Sequence, residues 1–235
     1  MIMCPDSFSL FQTKEEIFDI EELRRQSSVA FVKDLNPVPE LVLATPEFVK
    51  QLVEKNVRVW IQRKYAVHTS YTDLDYADVG AEIVDDFHTM AQLSDLLVKF
   101  SPFTIEETQM MKDRQIIISY LAIPQITKEF FEIFEKKKIT AIATNFIKDR
   151  NDQNIIEVIL TEIMDKQAVN IALGAFMMPI VNAIVYHQNI RNSIQTNPAL
   201  LQGVYCYKGI LCSKSIADRL NLMWKDILSL CWDLN

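Results

Sequence analysis

Short β-branched runs alternate with stretches of helical spacing through the first two-thirds of this chain, and that alternation sets the expected architecture. Val29 to Val32 is the first clear run. Thr45-Pro46-Glu47 then places a hydroxyl before a proline at a first helical position, which predicts a helix to about Lys55. Val57 to Ile61 reads as a strand, Thr72 to Val79 as a helix, Ala81 to Val84 as a strand and Asp86 to Leu93 as a helix. A strand from Asp95 to Phe100 carries Lys99 near its end, and Thr104-Ile105-Glu106-Glu107 opens a helix with acidic residues in its first turn. Gln115 to Leu121 is nearly unbroken apolar sequence, as expected of a strand covered on both faces. A helix from Thr127 to Lys137, with Phe130, Phe131 and Phe134 as core, and a strand from Ile139 to Thr144 complete the series. Such alternation with short connections calls for an α/β fold: a parallel sheet with right-handed crossovers and helices on both faces, Rossmann-like or flavodoxin-like.

The rhythm changes beyond Arg150-Asn151-Asp152. Asn154 to Met164 and Ala168 to His187 have helical spacing and high apolar content, separated by the polar triplet Asp165-Lys166-Gln167, and read as consecutive helices added to the sheet. The apolar stretch Ile171 to Tyr186 is interrupted by Gly174, Pro179 and Asn182 and falls short of the ~20 residues of a membrane span, so it reads as a buried helix. A tail from Asn197 contains a helix begun at Ser213 and an apolar segment from Met223 to Trp232. At the other end, Lys14 to Gln26 predicts an amphipathic helix with Ile17, Phe18, Ile20 and Leu23 on its apolar face. The expected organisation is an N-terminal helical extension over 1–28, a sheet domain over 29–150, and helices and tail over 151–235 that complete it.

Composition narrows the chemistry. The chain has four glycines, Gly80, Gly174, Gly203 and Gly209, where average usage of ~7% would give roughly 16. No two lie closer than Gly203 and Gly209, so no glycine-rich dinucleotide loop and no P-loop is present in the sequence. A net charge of −7 repels phosphate polyanions and argues against nucleic acid as a partner. Cys4, Cys206, Cys212 and Cys231 form no C-x-x-C pair, and His68, His88 and His187 are far apart, so no metal-ligand spacing emerges. The segment Met1 to Leu10 carries Asp6 and shows no basic stretch leading into an apolar run, so no leader is expected and the expected location is cytoplasmic. The run Lys136-Lys137-Lys138 falls at a helix C-terminus, where cations complement the dipole.

Several segments together resemble a known family. Lys33-Asp34, Leu43-Ala44-Thr45-Pro46, the stretch Asp73 to Ala81 and the stretch Asp95 to Lys99 match, in order, motifs of the N-terminal substrate domain of alanine dehydrogenase and the related transhydrogenase subunit. In the tail, Asn197 to Tyr205 and Tyr207 to Leu211 are similar to the family's N-P-A-L-x-x-G-V-x-x-Y-x-G-x-L, and Trp224 to Leu230 to the ending of its longer bacterial variety. The resemblance implies a Rossmann-type substrate domain over Val29 to Ile163 and, for the family, NAD-dependent alanine dehydrogenase activity. It also implies a nucleotide domain inserted between the two long helices. Here Thr161-Glu162-Ile163 runs within a few residues into Asn170-Ile171-Ala172-Leu173, so that domain is expected to be missing between them and no cofactor is expected.

The resemblance maps four substrate-site positions onto this chain. The arginine that clamps the substrate carboxylate corresponds to Leu41, the histidine of a Y-L-H-L context to Ala122, and the asparagine of A-L-x-N-x-x-x-P to Ala175. The family's glycine-rich turn corresponds to Arg63 to Thr69. An apolar residue cannot replace a bidentate charged fork. Only the lysine survives, as Lys99, and at the C-terminal end of a parallel strand it is the candidate substrate-binding residue. The alternative for Lys99 is a stem packed on the sheet with its ammonium in water. No catalytic residue is expected. Three functions follow: an inactive interaction or assembly partner, forming a homo-oligomer or joining a full-length alanine dehydrogenase relative; a binder of a small amino acid or 2-oxo acid; or the substrate half of an oxidoreductase completed in trans. The joint loss at 41, 122 and 175 favours the first. The helix Ala168 to His187 is apolar on more than one face, which predicts association through it, with Met177→Glu as the expected disruptor.

Overall fold

Helix starts in this protein are written in single residues. In the computed structural model, which describes residues 27–34, 41–149, 151–187 and 189–232, the Thr45 hydroxyl accepts from the Phe48 N–H at 3.3 Å and starts helix α1 (Pro46–Glu54). Reciprocal capping boxes, Thr72 with Asp75 and Thr104 with Glu107, start α2 (Asp73–Asp78) and α4 (Ile105–Met110). The Asp86 carboxylate accepts from Thr89 N–H at 2.8 Å and starts α3 (Phe87–Leu93). The remaining crossover helix is α5 (Lys128–Lys137), which ends on Lys138 in the left-handed conformation. Lys137 serves another helix: its ammonium donates to the Gln109 carbonyl at 2.6 Å and to that of Met111, at the end of α4. The expected helix Lys14 to Gln26 and Cys4 lie outside the described residues.

Between these helices run β1 (Ser28–Phe31), β2 (Arg58–Gln62), β3 (Glu82–Val84), β4 (Leu96–Val98), β5 (Ile116–Ser119) and β6 (Thr140–Ala143). All six are parallel, and the sheet continues through β7 (Val204–Tyr207) and β8 (Ile210–Leu211) in the order β3-β2-β1-β4-β5-β6-β7-β8. The chain builds outward from β1 to β3, returns, and builds outward again from β4. The β1/β4 boundary is therefore the switch point, where α/β sheets open a crevice beyond the strand ends. Strand alternation divides the core in two. Val29 and Phe31 point to one face with Leu43, Phe48 and Leu173, while Ala30 and Val32 point to the other with Met90, Phe103 and Phe134. The expected α/β class with helices on both faces is the observed one.

The tail adds more than the expected helices. Helices α8 (Ile190–Thr196) and α9 (Ala199–Gly203) lead into β7, which pairs antiparallel with β6 and with β8. Lys208 and Gly209 join Tyr207 to Ile210 with both φ values positive, 48° and 83°, the two-residue turn that matches strand twist. A Cβ at Gly209 would lie 2.8 Å from backbone atoms of Glu135 and Phe134, so the hairpin closes onto the end of α5 only with glycine there. Helices α10 (Lys214–Leu220) and α11 (Ile227–Trp232) follow.

Helix α6 (Ile155–Glu162) is joined to α7 (Lys166–His187) by residues 163–165 alone, and the Asp165 carboxylate accepts from the Ala168 N–H at 2.7 Å to start the second helix. As the helical spacing of Ala168 to His187 predicts, α7 runs unbroken for 22 residues, through Gly174 and Pro179. By length and composition it could cross a membrane, yet half of it is buried inside this fold. Leu173, Met177, Ile180, Val181 and Ile184 are at most 2% exposed and belong to the first core face. Met177 is therefore a core residue and not part of an associating surface.

Candidate functional site

Lys99 follows β4 by one residue, so alternation turns it away from the face that Val98 occupies and toward Phe103. Its side chain is 1% exposed, and its ammonium lies 2.7 and 2.8 Å from the two Glu107 oxygens. Glu107 is also the third residue of α4: Oε2 accepts from the Thr104 N–H at 2.8 Å, while the Glu107 N–H donates to the Thr104 hydroxyl at 3.2 Å. One carboxylate thus caps a helix and neutralises a buried cation. The Phe103 ring stands 5.5 Å from the ammonium. Lys99 is held in an internal, charge-assisted fork and lines the adjoining cavity.

Beside this pair lies a cavity of about 430 Å³, lined among others by Phe103, Ser119, Ala122, Phe130 and Tyr205. Ser119 and Tyr205 are 2% and 1% exposed. Burial pushes the Tyr205 phenol well above its ordinary pKa, so it remains a proton donor. Arg219 of α10 donates to the Ile123 carbonyl and, at 2.9 Å, to that of Pro124. It pins the short turn Ile123–Gln125 between two cavity residues, Ala122 and Ile126.

Leu41 belongs to the other face of the sheet, packed against the first core. The space it lines with Asp34, Tyr65, His68 and Phe100 is about 10 Å³, room for about one water and no ligand carboxylate. His68 closes it from outside, with Nε2 2.7 Å from the Leu41 carbonyl oxygen. Asp34 spans the switch point by accepting from the Ser101 N–H at 2.7 Å. Burial and the neighbouring Asp34 both raise the Tyr65 phenol pKa. Ala175 sits on the exposed side of α7, lining a third hollow of about 560 Å³ with Thr45, Tyr71, Ile171 and Met178. Of the four mapped positions, Lys99 and Ala122 share a cavity, whereas Leu41 and Ala175 each lie in a different one.

Glu107, Ser119 and Tyr205 escaped the sequence reading as site residues. Glu107 carried a usable signal, since a T-x-x-E capping box eight residues after a strand-end lysine puts a carboxylate at the same sheet edge. Tyr205 carried none, because its strand joins from the far end of the chain. Among the described residues no group of three or more His, Cys, Asp or Glu could hold a metal ion. Burial pushes the Cys206 thiol well up and that of Cys212 to about 12, so both stay protonated at neutral pH.

Comparison with known proteins adds three likenesses. Residues 38–160 match the family model described as alanine dehydrogenase/PNT, N-terminal domain. Over 115 residues the chain is 30% identical to alanine dehydrogenase 1 of Staphylococcus aureus (strain Mu50 / ATCC 700699), covering 49% of this chain and 30% of that protein. The matched part thus spans about a third of the relative's length. Among solved structures, an L-alanine dehydrogenase superposes over 57% of this chain and 36% of its own, with a TM-score of 0.50 and 21% identity.

Proposed function

The chain belongs to the alanine dehydrogenase/PNT N-terminal domain family, and on that premise we propose that it is a member without catalytic activity that works by associating with a second copy of itself. The observation that carries the loss of catalysis is Lys99: the surviving family lysine is buried and already bonded to both Glu107 oxygens. A substrate carboxylate arriving there meets a cation that is already paired, and Leu41, at the family's arginine position, packs on the opposite face of the sheet beside a void of only about 10 Å³. The three residues between α6 and α7 support the same reading, since that junction is where the family resemblance puts the nucleotide domain.

Association is supported by the outer face of α7. Ile171 is 64% and Tyr186 82% exposed, and Ala175, Pro179 and Tyr186 continue the stripe at intervals of four to seven residues. No Asp, Glu, Lys or Arg occurs from Gln167 to His187. At 1.5 Å per residue the stripe from Ile171 to Tyr186 is about 22 Å long. On one side runs a hollow of about 1210 Å³ bordered by Val57, Ile147 and Phe176, and on the other the hollow of about 560 Å³. A helical ridge flanked by grooves is complementary to its own copy turned about a two-fold axis.

Two measurements test this reading. Purified chain mixed with L-alanine and NAD should form no NADH at any pH between 7 and 10.5, and titration calorimetry with NADH should show no heat of binding. Light scattering at micromolar concentration should give twice the 27.2 kDa of one chain. Turnover would remove the first half of the proposal, and a monomer at every concentration the second. Partnering restricted to a full-length alanine dehydrogenase would appear as a monomer that shifts to a larger species only when that enzyme is added.

A further inference from the structure

We propose that the hollow of about 1210 Å³ beside the C-terminal half of α7 is the docking groove for this chain's own segment Lys14 to Gln26, seated there as a helix. This goes beyond association and does not rest on it: with that hollow filled from within the chain, a second copy meets the ridge of α7 from the side of the other hollow. The lining is mainly apolar, with Val57, Ile147, Phe176, Ala183 and Tyr186 among it. It exceeds the about 300–1,000 Å³ of ordinary small-molecule pockets and follows α7 from Phe176 to His187, the form of a groove that receives the apolar face of a helix.

Ser27 points to the occupant. It lines the hollow, and its hydroxyl donates to the Val185 carbonyl near the end of α7. Gln26 precedes it directly, so the chain ahead of β1 leaves from the rim of the groove with no intervening loop. The segment Lys14 to Gln26 lies outside the described residues, and its sequence carries what the groove requires. Thr13 and Glu16 have the spacing of a capping box, and Ile17, Phe18, Ile20 and Leu23 supply an apolar face. As a helix, Lys14 to Gln26 would be about 20 Å long, against about 17 Å from Phe176 to His187 along α7. Charge agrees as well: the segment holds Glu15, Glu16, Asp19, Glu21 and Glu22, whereas the described lining has Lys55 and no Asp or Glu. Attachment favours it over a second copy, because a tethered segment is present at an effective concentration on the order of millimolar and a separate chain, in solution, at micromolar.

The test uses the full chain carrying the photo-crosslinker p-benzoylphenylalanine in place of Phe18, irradiated and mapped by mass spectrometry. The expected product is a link within one chain, running at the 27.2 kDa of a single copy on a denaturing gel, to lining residues such as Ile147, Ala199 or those from Phe176 to His187. Hydrogen exchange gives a second readout. The amides of 17–26 should exchange about tenfold or more slowly in the unmodified chain than in Ile17→Glu with Leu23→Glu, which keeps the segment and removes two of its apolar contacts. Lys55→Glu, at an exposed position on the rim, should speed their exchange by repelling the acidic segment. Ile171→Glu, which separates two copies, should leave both readouts unchanged. Links that join two chains or fall outside the lining, the absence of any link, or amides of 17–26 that exchange equally fast in the unmodified and doubly substituted chains would overturn the proposal. Its failure is distinct from a failure of association, which light scattering reads and neither of these measurements does.

Discussion

Removing the Glu107 side chain should do more harm than removing the Lys99 charge, although the two form one pair. Lys99 is 1% exposed and Glu107 14%. In Glu107→Ala the ammonium stays buried with no counter-charge, a situation that costs about 3–5 kcal/mol when one member of a buried pair is deleted. The Glu107 half of the α4 capping box is lost in the same change, a hydrogen bond worth about 0.5–1.5 kcal/mol. In Lys99→Met the methylene volume is largely kept, and the remaining carboxylate still accepts from the Thr104 N–H and touches water, so about 1–2 kcal/mol is expected. The double change Lys99→Met with Glu107→Gln leaves no buried charge and should be more stable than Glu107→Ala alone. Against a domain stability of about 5–15 kcal/mol these differences are large. Urea unfolding followed by circular dichroism is the suitable assay, because guanidinium would itself screen charge. The ranking should survive 1 M NaCl, where the screening length falls to about 3 Å but a largely buried pair is little affected. A Lys99→Met variant as unstable as Glu107→Ala, or a gap between them that closes with salt, would refute the reasoning.

The α7 helix offers a test that separates folding from association. Met177→Glu should unfold the protein or lower its melting temperature sharply, since the side chain is fully buried in the first core face; Ile171→Glu should leave melting nearly unchanged while converting the dimer to monomer in light scattering. Equal effects of the two on melting would contradict the burial described here. A third prediction concerns acid. The Thr89 N–H, with its side chain, holds the Asp86 carboxyl below the usual aspartate range. Its contribution is therefore complete above the unfolded value of ~3.9 and is lost as pH falls through the lower folded value. Asp86→Asn, which still caps, should leave neutral-pH stability almost unaltered and make the acid limb of a urea midpoint-versus-pH curve shallower; an identical acid limb would count against it.

Much of the architecture was legible before any coordinates. Helix starts were readable because a cap is made within four residues: Thr45-Pro46, Thr72 and Thr104 each initiate a helix where their spacing places it. The parallel strands were readable because burial on both faces leaves near-continuous apolar runs, as at Ile116 to Ser119. The hairpin of β7 and β8 was not read as strands. Its only local signal is Lys208-Gly209, and the rest of its stability comes from α5 and β6, some 70 residues earlier. The candidate site was legible to the same limited extent. Lys99 was visible as the one retained polar position and Leu41 as a lost charge, but Glu107 and Tyr205 entered only with the fold.

The sequence by itself determined the order of strands and helices, the absence of a glycine-rich nucleotide loop within it, and the direct passage from α6 into α7. Each of these depends on residues close together in the chain, where periodicity, capping and steric preference act without knowledge of the rest. Tertiary structure decided which side of the sheet each candidate residue faces. It turned Met177 inward and Ile171 outward on the same helix, put Lys99 and Leu41 on opposite faces, and gave Lys99 a carboxylate in place of water. Those outcomes rest on alternation along β4, the cap of α4 and the docking of β7, which come together only when distant segments pack, so no local pattern carries them.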